Sequence, residues 1–204
     1  MGGHDPYSSS KACAELVTAS YRRSFFGGRQ TYIASARAGN VIGGGDWALD
    51  RLIPDAANAI LRGRRLMIRN PSAVRPWQHV LEPLSGYLLL AQQLYEQGKP
   101  FAEAWNFGPA IDETKPVSWV VEQFCNSWGK QVDLEIEKTT QPHEAGLLIL
   151  DSSKACQLLG WQPKLHLTQA LDWTASWYQA YGEGQQMRQF TDAQISRYQN
   201  LKVA

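Results

Sequence analysis

Asp5-Pro6-Tyr7-Ser8-Ser9-Ser10-Lys11 is the stretch on which the reading of the whole chain turns. Proline fits the first position of a helix and an aspartate before it can accept the orphan amide protons, so a helix is expected from Pro6 onward. Tyr7 and Lys11, four apart, then project from one face of that helix. Cys13, Leu16, Val17 and Ser20 recur at helical spacing and predict a buried stripe on another face. A free tyrosine titrates near about 10 and a free lysine near about 10.4, so neither is a useful base at neutral pH unaided. A fixed ammonium beside a phenol favours the phenolate, which makes the pair a plausible general base for a hydroxyl proton. Chance alone supplies about 0.3 Tyr-x-x-x-Lys pairs in a chain of this composition. An ordinary polar pair on an amphipathic helix is therefore the competing reading, and the rest of the sequence has to choose.

Composition narrows the field. With 204 residues, 44% hydrophobic and 19% charged, the chain reads as a globular protein with room for one sizeable core. A net charge of +1 argues against a nucleic-acid surface, and Arg62, Arg64 and Arg65 read as a solvated helix end. Cys13, Cys125 and Cys156 lack C-x-x-C spacing and are expected to be free, mostly packed thiols in a reducing compartment. No signal peptide and no membrane-length apolar run is visible, so a cytoplasmic protein without membrane partners is expected. No His, Cys or carboxylate cluster has metal-ligand spacing, and His79 and His166 read as structural. Of the eight Trp, Trp128, Trp161, Trp173 and Trp177 are expected in the core, whereas Trp47 and Trp77 lie in loop-like stretches where stacking is open.

Strand and helix patterns alternate along the chain. Short strands are predicted at 31–36, 66–68, 78–80, 104–107 and 132–136. Helices are predicted at 52–61, 81–97, 117–128, 152–159 and 167–181, with a short one at 192–201. Gly39 to Asp50 reads as a glycine-rich loop, and Gly43-Gly44-Gly45 as a flexible turn near a ligand. The pattern is α/β. It contains no G-x-G-x-x-G turn after a first strand, the usual cradle for a dinucleotide pyrophosphate.

Several segments together resemble the extended short-chain dehydrogenase/reductase family of nucleotide-sugar enzymes, and within it the CDP-glucose 4,6-dehydratases. They are Tyr7-Ser-Ser-Ser-Lys11, Ala36-Arg-Ala-Gly-Asn40-Val-Ile-Gly-Gly-Gly-Asp46-Trp47 and Arg51-Leu-Ile-Pro-Asp55. Further on stand Arg75-Pro-Trp-Gln-His-Val-Leu-Glu-Pro83, Trp105-Asn-Phe-Gly-Pro109, Pro142-His-Glu-Ala145 and Asp151-Ser-Ser-Lys-Ala155. The Tyr–Lys and Asn-Val-x-Gly motifs are shared by the wider family; the Gly-Gly-Asp-Trp, Arg-Pro-Trp-Gln-His-Val and Pro-His-Glu-Ala stretches are specific to the dehydratases.

The resemblance implies the C-terminal part of a Rossmann-type parallel sheet plus the smaller substrate-binding domain of such an enzyme. Residues 1–50 would be the remnant of the NAD-binding domain with its catalytic helix, 51–182 mainly the nucleotide-sugar region, and 183–204 a tail. It implies NAD as cofactor and dehydration of CDP-glucose to a 4-keto-6-deoxy product used for bacterial surface polysaccharides. Tyr7 would take the C4 hydroxyl proton, and Lys11 would favour the tyrosinate and hydrogen-bond the nicotinamide ribose. Arg37 and Asn40 join Tyr7 and Lys11 as expected cofactor contacts. Asn40, Arg51, Arg75 and His143 are the expected substrate contacts, with Arg51 and Arg75 suited to the diphosphate. Arg51 equally suits a surface charge at a helix start, and for His143 a loop hydrogen bond is the favoured alternative.

A homodimer using the helix of Tyr7 is expected from the same resemblance. So is an isolated chain without turnover, because the phosphate turn and the family's Thr/Ser-Asp elimination segment would lie ahead of Met1. A nucleotide-sugar epimerase and a non-catalytic remnant that at most binds sugar nucleotide are the alternatives.

Overall fold

A computed structural model describes residues 5–28, 30–137 and 146–202. Helix α1 (Pro6–Phe25) leads by chain connection into strand β1 (Ser35–Ala38), followed by β2 (Asn40–Ile42), α2 (Leu52–Arg62) and β3 (Leu66–Ile68). Next come β4 (Val74–Arg75), β5 (Trp77–His79), α3 (Leu81–Glu96), β6 (Ala104–Phe107), β7 (Lys115–Pro116) and α4 (Val117–Trp128). The chain ends with β8 (Leu134–Ile136), a π-helical stretch Ala155–Leu159, α5 (Leu167–Gly182) and α6 (Met187–Gln199).

The strands associate in four pairs. Three are parallel, β1 with β6, β2 with β5 and β3 with β8, and β4 with β7 is antiparallel. Parallel neighbours require crossover connections, and here helices supply most of them. The observed α/β architecture with parallel pairs matches the expected fold class.

Two apolar clusters hold these elements. The larger joins α2, β3, α4 and α5. On α2, Ile53, Ala56, Ala57 and Ile60 repeat at helical spacing and are all buried, and Gly63 closes the helix in a left-handed conformation. On α4, Val120, Val121, Phe124 and Trp128 face α5, where Tyr178 stacks on Trp128 at 6.4 Å. The smaller cluster packs Leu90 of α3 against Trp105 and Phe107 of β6 and against Ala155, Leu159 and Trp161. Gly86 lets α3 lie on Phe107, because a Cβ there would sit 2.2 Å from the ring.

Several expectations change. The stripe on α1 is not buried: Leu16, Val17, Tyr21 and Phe25 are more than half exposed, and Cys13 and Ser20 are exposed too. That helix is tied to β1 chiefly by polar contacts, Ser35 and Arg37 to Glu15 and Arg22 Nε to the Ile33 carbonyl. The row Leu81, Leu84, Leu88, Ala91 and Tyr95, whose helical spacing predicts one face of α3, is half-buried at Leu81 and exposed at the other four, while Glu82, Pro83, Gly86 and Leu90 are buried. Three consecutive leucines, 88–90, allow either face, and packing on Phe107 selects the small residue. The strand expected at 31–36 forms four residues later, at Ser35–Ala38, where β6 offers hydrogen-bond partners.

Trp77 is no loop residue but a buried member of β5, which is covered on both faces. At the glycine turn a Cβ on Gly44 would lie 2.0 Å from the Trp177 ring, so backbone and indole are in close contact. The helix expected at 192–201 begins at Met187, and Phe190 and Met187 pack against the larger cluster. Trp128, Trp161, Trp173 and Trp177 are buried as expected.

Candidate active site

Asp5 caps α1 as its position before proline requires. Its carboxylate accepts from Ser8 N at 2.8 Å and Ser8 Oγ at 2.6 Å, and these bonds hold its pKa below the usual carboxylate range. The cap orients the first turn, from which Tyr7 projects with 70% of its surface exposed. Lys11 Nζ lies 5.3 Å from the centre of the Tyr7 ring, as the four-residue spacing predicts. No carboxylate of the described residues is within ion-pair distance of Lys11.

Tyr7 opens onto a cleft of about 1170 Å³. Asn40, Arg51 and Arg75 line the same cleft, so the fold brings together four of the residues expected from sequence. Each is placed by its own element. Asn40 starts β2, and its amide donates to the Pro76 carbonyl at 2.9 Å. Gly39 permits that approach, since a Cβ there would meet the same carbonyl oxygen at 2.4 Å. Arg51 stands exposed at the N-cap of α2, where its side chain makes no cap bond and its carbonyl accepts from Asp55 N. Arg75 is 6% exposed in β4 and donates from Nη1 to the Val74 carbonyl at 3.0 Å. A guanidinium this buried beside an open cleft is suited to a bidentate anionic ligand.

Lys11 and Arg37 are not among the residues that line the cleft. The Arg37 Nε pairs with Glu15 at 2.6 Å and its Nη1 donates to Asn106 at 3.1 Å, bracing α1 against β1 and β6. That hydrogen bond with Glu15 raises the guanidinium pKa and lowers the carboxyl. His143, with the Pro142-His-Glu-Ala145 stretch, lies outside the described residues. His79 is buried, and His166 caps α5, its side chain accepting from the Gln169 amide and pairing through Nδ1 with Glu113 at 2.8 Å.

The cleft also holds charges not expected at the site from sequence: Asp50, Asp55, Arg65, Arg69 and Glu137. Arg69 joins two of them, bonding to Asp50 through Nη2 and approaching Glu137 Oε2 with Nε at 3.4 Å. Asp50 is the one non-glycine residue with positive φ among those described, at 61°. Burial pushes the Asp55 carboxyl pKa up and the nearby Asp50 charge adds to it, while Arg69 opposes. Asp50, Arg69 and Glu137 stand 19 to 87 residues apart and so carry no spacing signal, and the pairing of β3 with β8 brings Arg69 beside Glu137.

A tyrosine–lysine pair on a helix beside parallel strands, opening onto an arginine-lined cleft, defines the class as an extended short-chain dehydrogenase/reductase. The chain belongs to the GDP-mannose 4,6 dehydratase family, whose sequence profile matches residues 1–174. It is 47% identical over 203 residues to the CDP-glucose 4,6-dehydratase of Salmonella typhimurium, covering 97% of this chain and 56% of that protein. The chain thus spans little more than half the length of this curated relative. Among solved structures, dTDP-glucose 4,6-dehydratase from Bacillus anthracis in complex with NAD superposes with a TM-score of 0.72 at 26% identity, over 91% of this chain and 55% of that one. UDP-glucuronic acid 4-epimerase from Bacillus cereus, in complex with UDP-glucuronic acid and NAD, shares the fold with a TM-score of 0.72 at 20% identity, over 87% and 53%.

Proposed function

We propose that this chain supplies the tyrosine–lysine pair and the sugar-nucleotide cleft of an NAD-dependent CDP-glucose 4,6-dehydratase. The observation that carries the reading is the single cleft shared by Tyr7, Asn40, Arg51 and Arg75. Identity of 47% to a CDP-glucose dehydratase favours that substrate over those of the epimerases, which share the fold at about 20% identity.

Tyr7 and Lys11 fit the nicotinamide-ribose end of NAD: an ammonium without a carboxylate partner among the described residues sits beside a phenol at the cleft. The pyrophosphate would be held by a segment other than these 204 residues, which contain no G-x-G-x-x-G turn. When bound, NAD supplies the hydride acceptor for sugar C4 and the hydride donor for C6. Tyr7 takes the C4 hydroxyl proton at its phenolic oxygen, with the Lys11 charge favouring the phenolate. The C4 ketone then acidifies C5–H, and water is lost across C5 and C6. Arg75 and Arg51 hold the diphosphate, fixing the sugar against Tyr7. Cytoplasmic location, a role in bacterial surface polysaccharides and pairing of two copies along the exposed face of α1 belong to the same proposal.

The test is a chimera in which the preceding segment of the Salmonella relative is fused ahead of this chain and supplied with NAD and CDP-glucose. Conversion to the 4-keto-6-deoxy sugar is expected, with loss of at least about 100-fold in turnover on Tyr7→Phe. Inversion at C4 with no loss of water would overturn the dehydratase reading in favour of an epimerase. The chain without that segment is expected to show no turnover.

A further inference from the structure

We infer that Arg37 is a positioning residue for the tyrosine–lysine pair: it draws the Glu15 carboxylate away from Lys11 and so leaves the ammonium free to act on Tyr7. This rests on the reading of Tyr7 and Lys11 as the redox pair given above. Tyr7, Lys11 and Glu15 follow one another at four-residue intervals and climb one side of α1. A lysine and a glutamate so spaced on a helix are neighbours and attract each other. Paired with Glu15, Lys11 would offer the phenol a neutral pair in place of a cation.

The structure holds the competing arrangement. Glu15 turns to β1, where Oε1 accepts from Arg37 Nε at 2.6 Å and Oε2 from Ser35 Oγ at 2.7 Å. Both carboxylate oxygens are engaged, and the bond with Arg37 is the largest cause of the lowered Glu15 pKa. Arg37 is held in turn by the sheet. The β1–β6 register sets it opposite Asn106, whose Oδ1 accepts from Arg37 Nη1 at 3.1 Å and whose Nδ2 donates to the Asp151 carbonyl at 3.0 Å. The cation that holds Glu15 is thus fixed by strands rather than by the helix on which Glu15 stands. A charge-assisted guanidinium bond outweighs a solvated helical pair in which lysine precedes glutamate, the weaker order of the two.

The other charges nearby are committed or unaffected. Arg22, which also lowers the Glu15 carboxyl, donates through Nε to the Ile33 carbonyl at 2.8 Å. Glu103, just ahead of β6, pairs with Lys154. The cleft onto which Tyr7 opens is lined by Asp46, Asp50, Asp55 and Glu137 and by Arg51, Arg65, Arg69 and Arg75. A substitution at Arg37 removes none of these charges.

The experiment is NMR titration of the Tyr7 phenol and the Lys11 ammonium in this chain, with Tyr7→Phe and Lys11→Arg used to assign the signals. Wild type, Arg37→Met and the double variant Arg37→Met/Glu15→Gln are compared, with thermal unfolding of each as a control. In Arg37→Met the released carboxylate should raise both midpoints by about half a unit, because it favours the ammonium and disfavours the phenolate. The double variant removes that carboxylate and should return both to wild-type values, although its brace is equally lost. Arg37→Gln keeps a bond to Asn106 without the charge and should shift both midpoints as Arg37→Met does. In the chimera supplied with NAD and CDP-glucose, the acid limb of kcat should move up by the same half unit in Arg37→Met. Turnover on that limb then falls about threefold and recovers in the double variant. Unchanged midpoints in both Arg37 variants would overturn the inference. A shift that persists in the double variant would overturn it too, assigning the effect to displacement of α1. A chimera without turnover would sink the redox reading by itself, while the midpoints in this chain would still decide whether Arg37 diverts Glu15.

Discussion

The imidazole of His79 is 2% exposed in β5, and burial lowers its pKa to about 4. Its Nδ1 accepts from Leu81 N at 3.3 Å, which leaves the proton on Nε2, where no partner exists among the described residues. The ring packs edge-on to Trp173 at 5.8 Å. A histidine with a depressed folded-state pKa stabilises the fold above its unfolded value near 6.5, and that stability is lost as pH falls through about 4. The full span corresponds to about 3 kcal/mol, of which roughly 2 should be gone by pH 5. Denaturant unfolding between pH 7 and 5 should show this slope, and His79→Phe should remove most of it; an unchanged slope would assign the effect to other groups. That His79 is structural was legible from its place in a strand-like stretch. Its missing partner was not, because satisfaction of a buried nitrogen depends on neighbours distant in sequence.

At the level of elements, the Arg75-Pro-Trp-Gln-His-Val-Leu-Glu stretch turns out to be mostly scaffold. Only Arg75 and Trp77 line the cleft; Gln78 donates to the Phe107 carbonyl at 2.7 Å and so ties β5 to β6. Glu82, 1% exposed, accepts from Lys164 N at 2.9 Å, Leu165 N at 2.8 Å and Tyr198 Oη at 2.8 Å. Burial raises its pKa, and these three donors compensate the ion. Tyr198 also bonds Ser85 Oγ at 3.1 Å, so α6 is docked on α3 by a buried polar clasp. Tyr198→Phe removes both bonds while leaving the ring, and should cost about 1–2 kcal/mol in denaturant unfolding. The loss should appear as faster hydrogen exchange confined to α6, and uniform acceleration across the chain would show the clasp to be part of the global core. The late start expected for α6 reflects its polar sequence: the helix is held by Phe190, Tyr198 and the clasp more than by an apolar stripe.

For the whole molecule, the two apolar clusters and the weakly attached α1 imply unequal stability. No residue of α1 is buried, whereas α4 and α5 bury most of one or more faces. In native-state hydrogen exchange the amides of α1 should exchange on the order of 100-fold faster than those of α4 and α5, the ratio given by about 3 kcal/mol less opening free energy. Equal protection would mean that α1 is covered in solution. Sequence by itself determined the α/β class, most helix boundaries through proline, capping and glycine signals, and the Tyr7–Lys11 pair, because all of these are local properties of the backbone. It determined the family as well, through motifs spread along nearly the whole chain. Tertiary structure alone decided which apolar faces are inside, since α1 and α3 have periodic rows that turn outward. It alone decided that Arg37 braces α1 off the cleft and that Asp50, Arg69 and Glu137 meet in it. Those outcomes depend on which strands pair and which helices cover them, and contacts between residues tens of positions apart leave no period in the sequence.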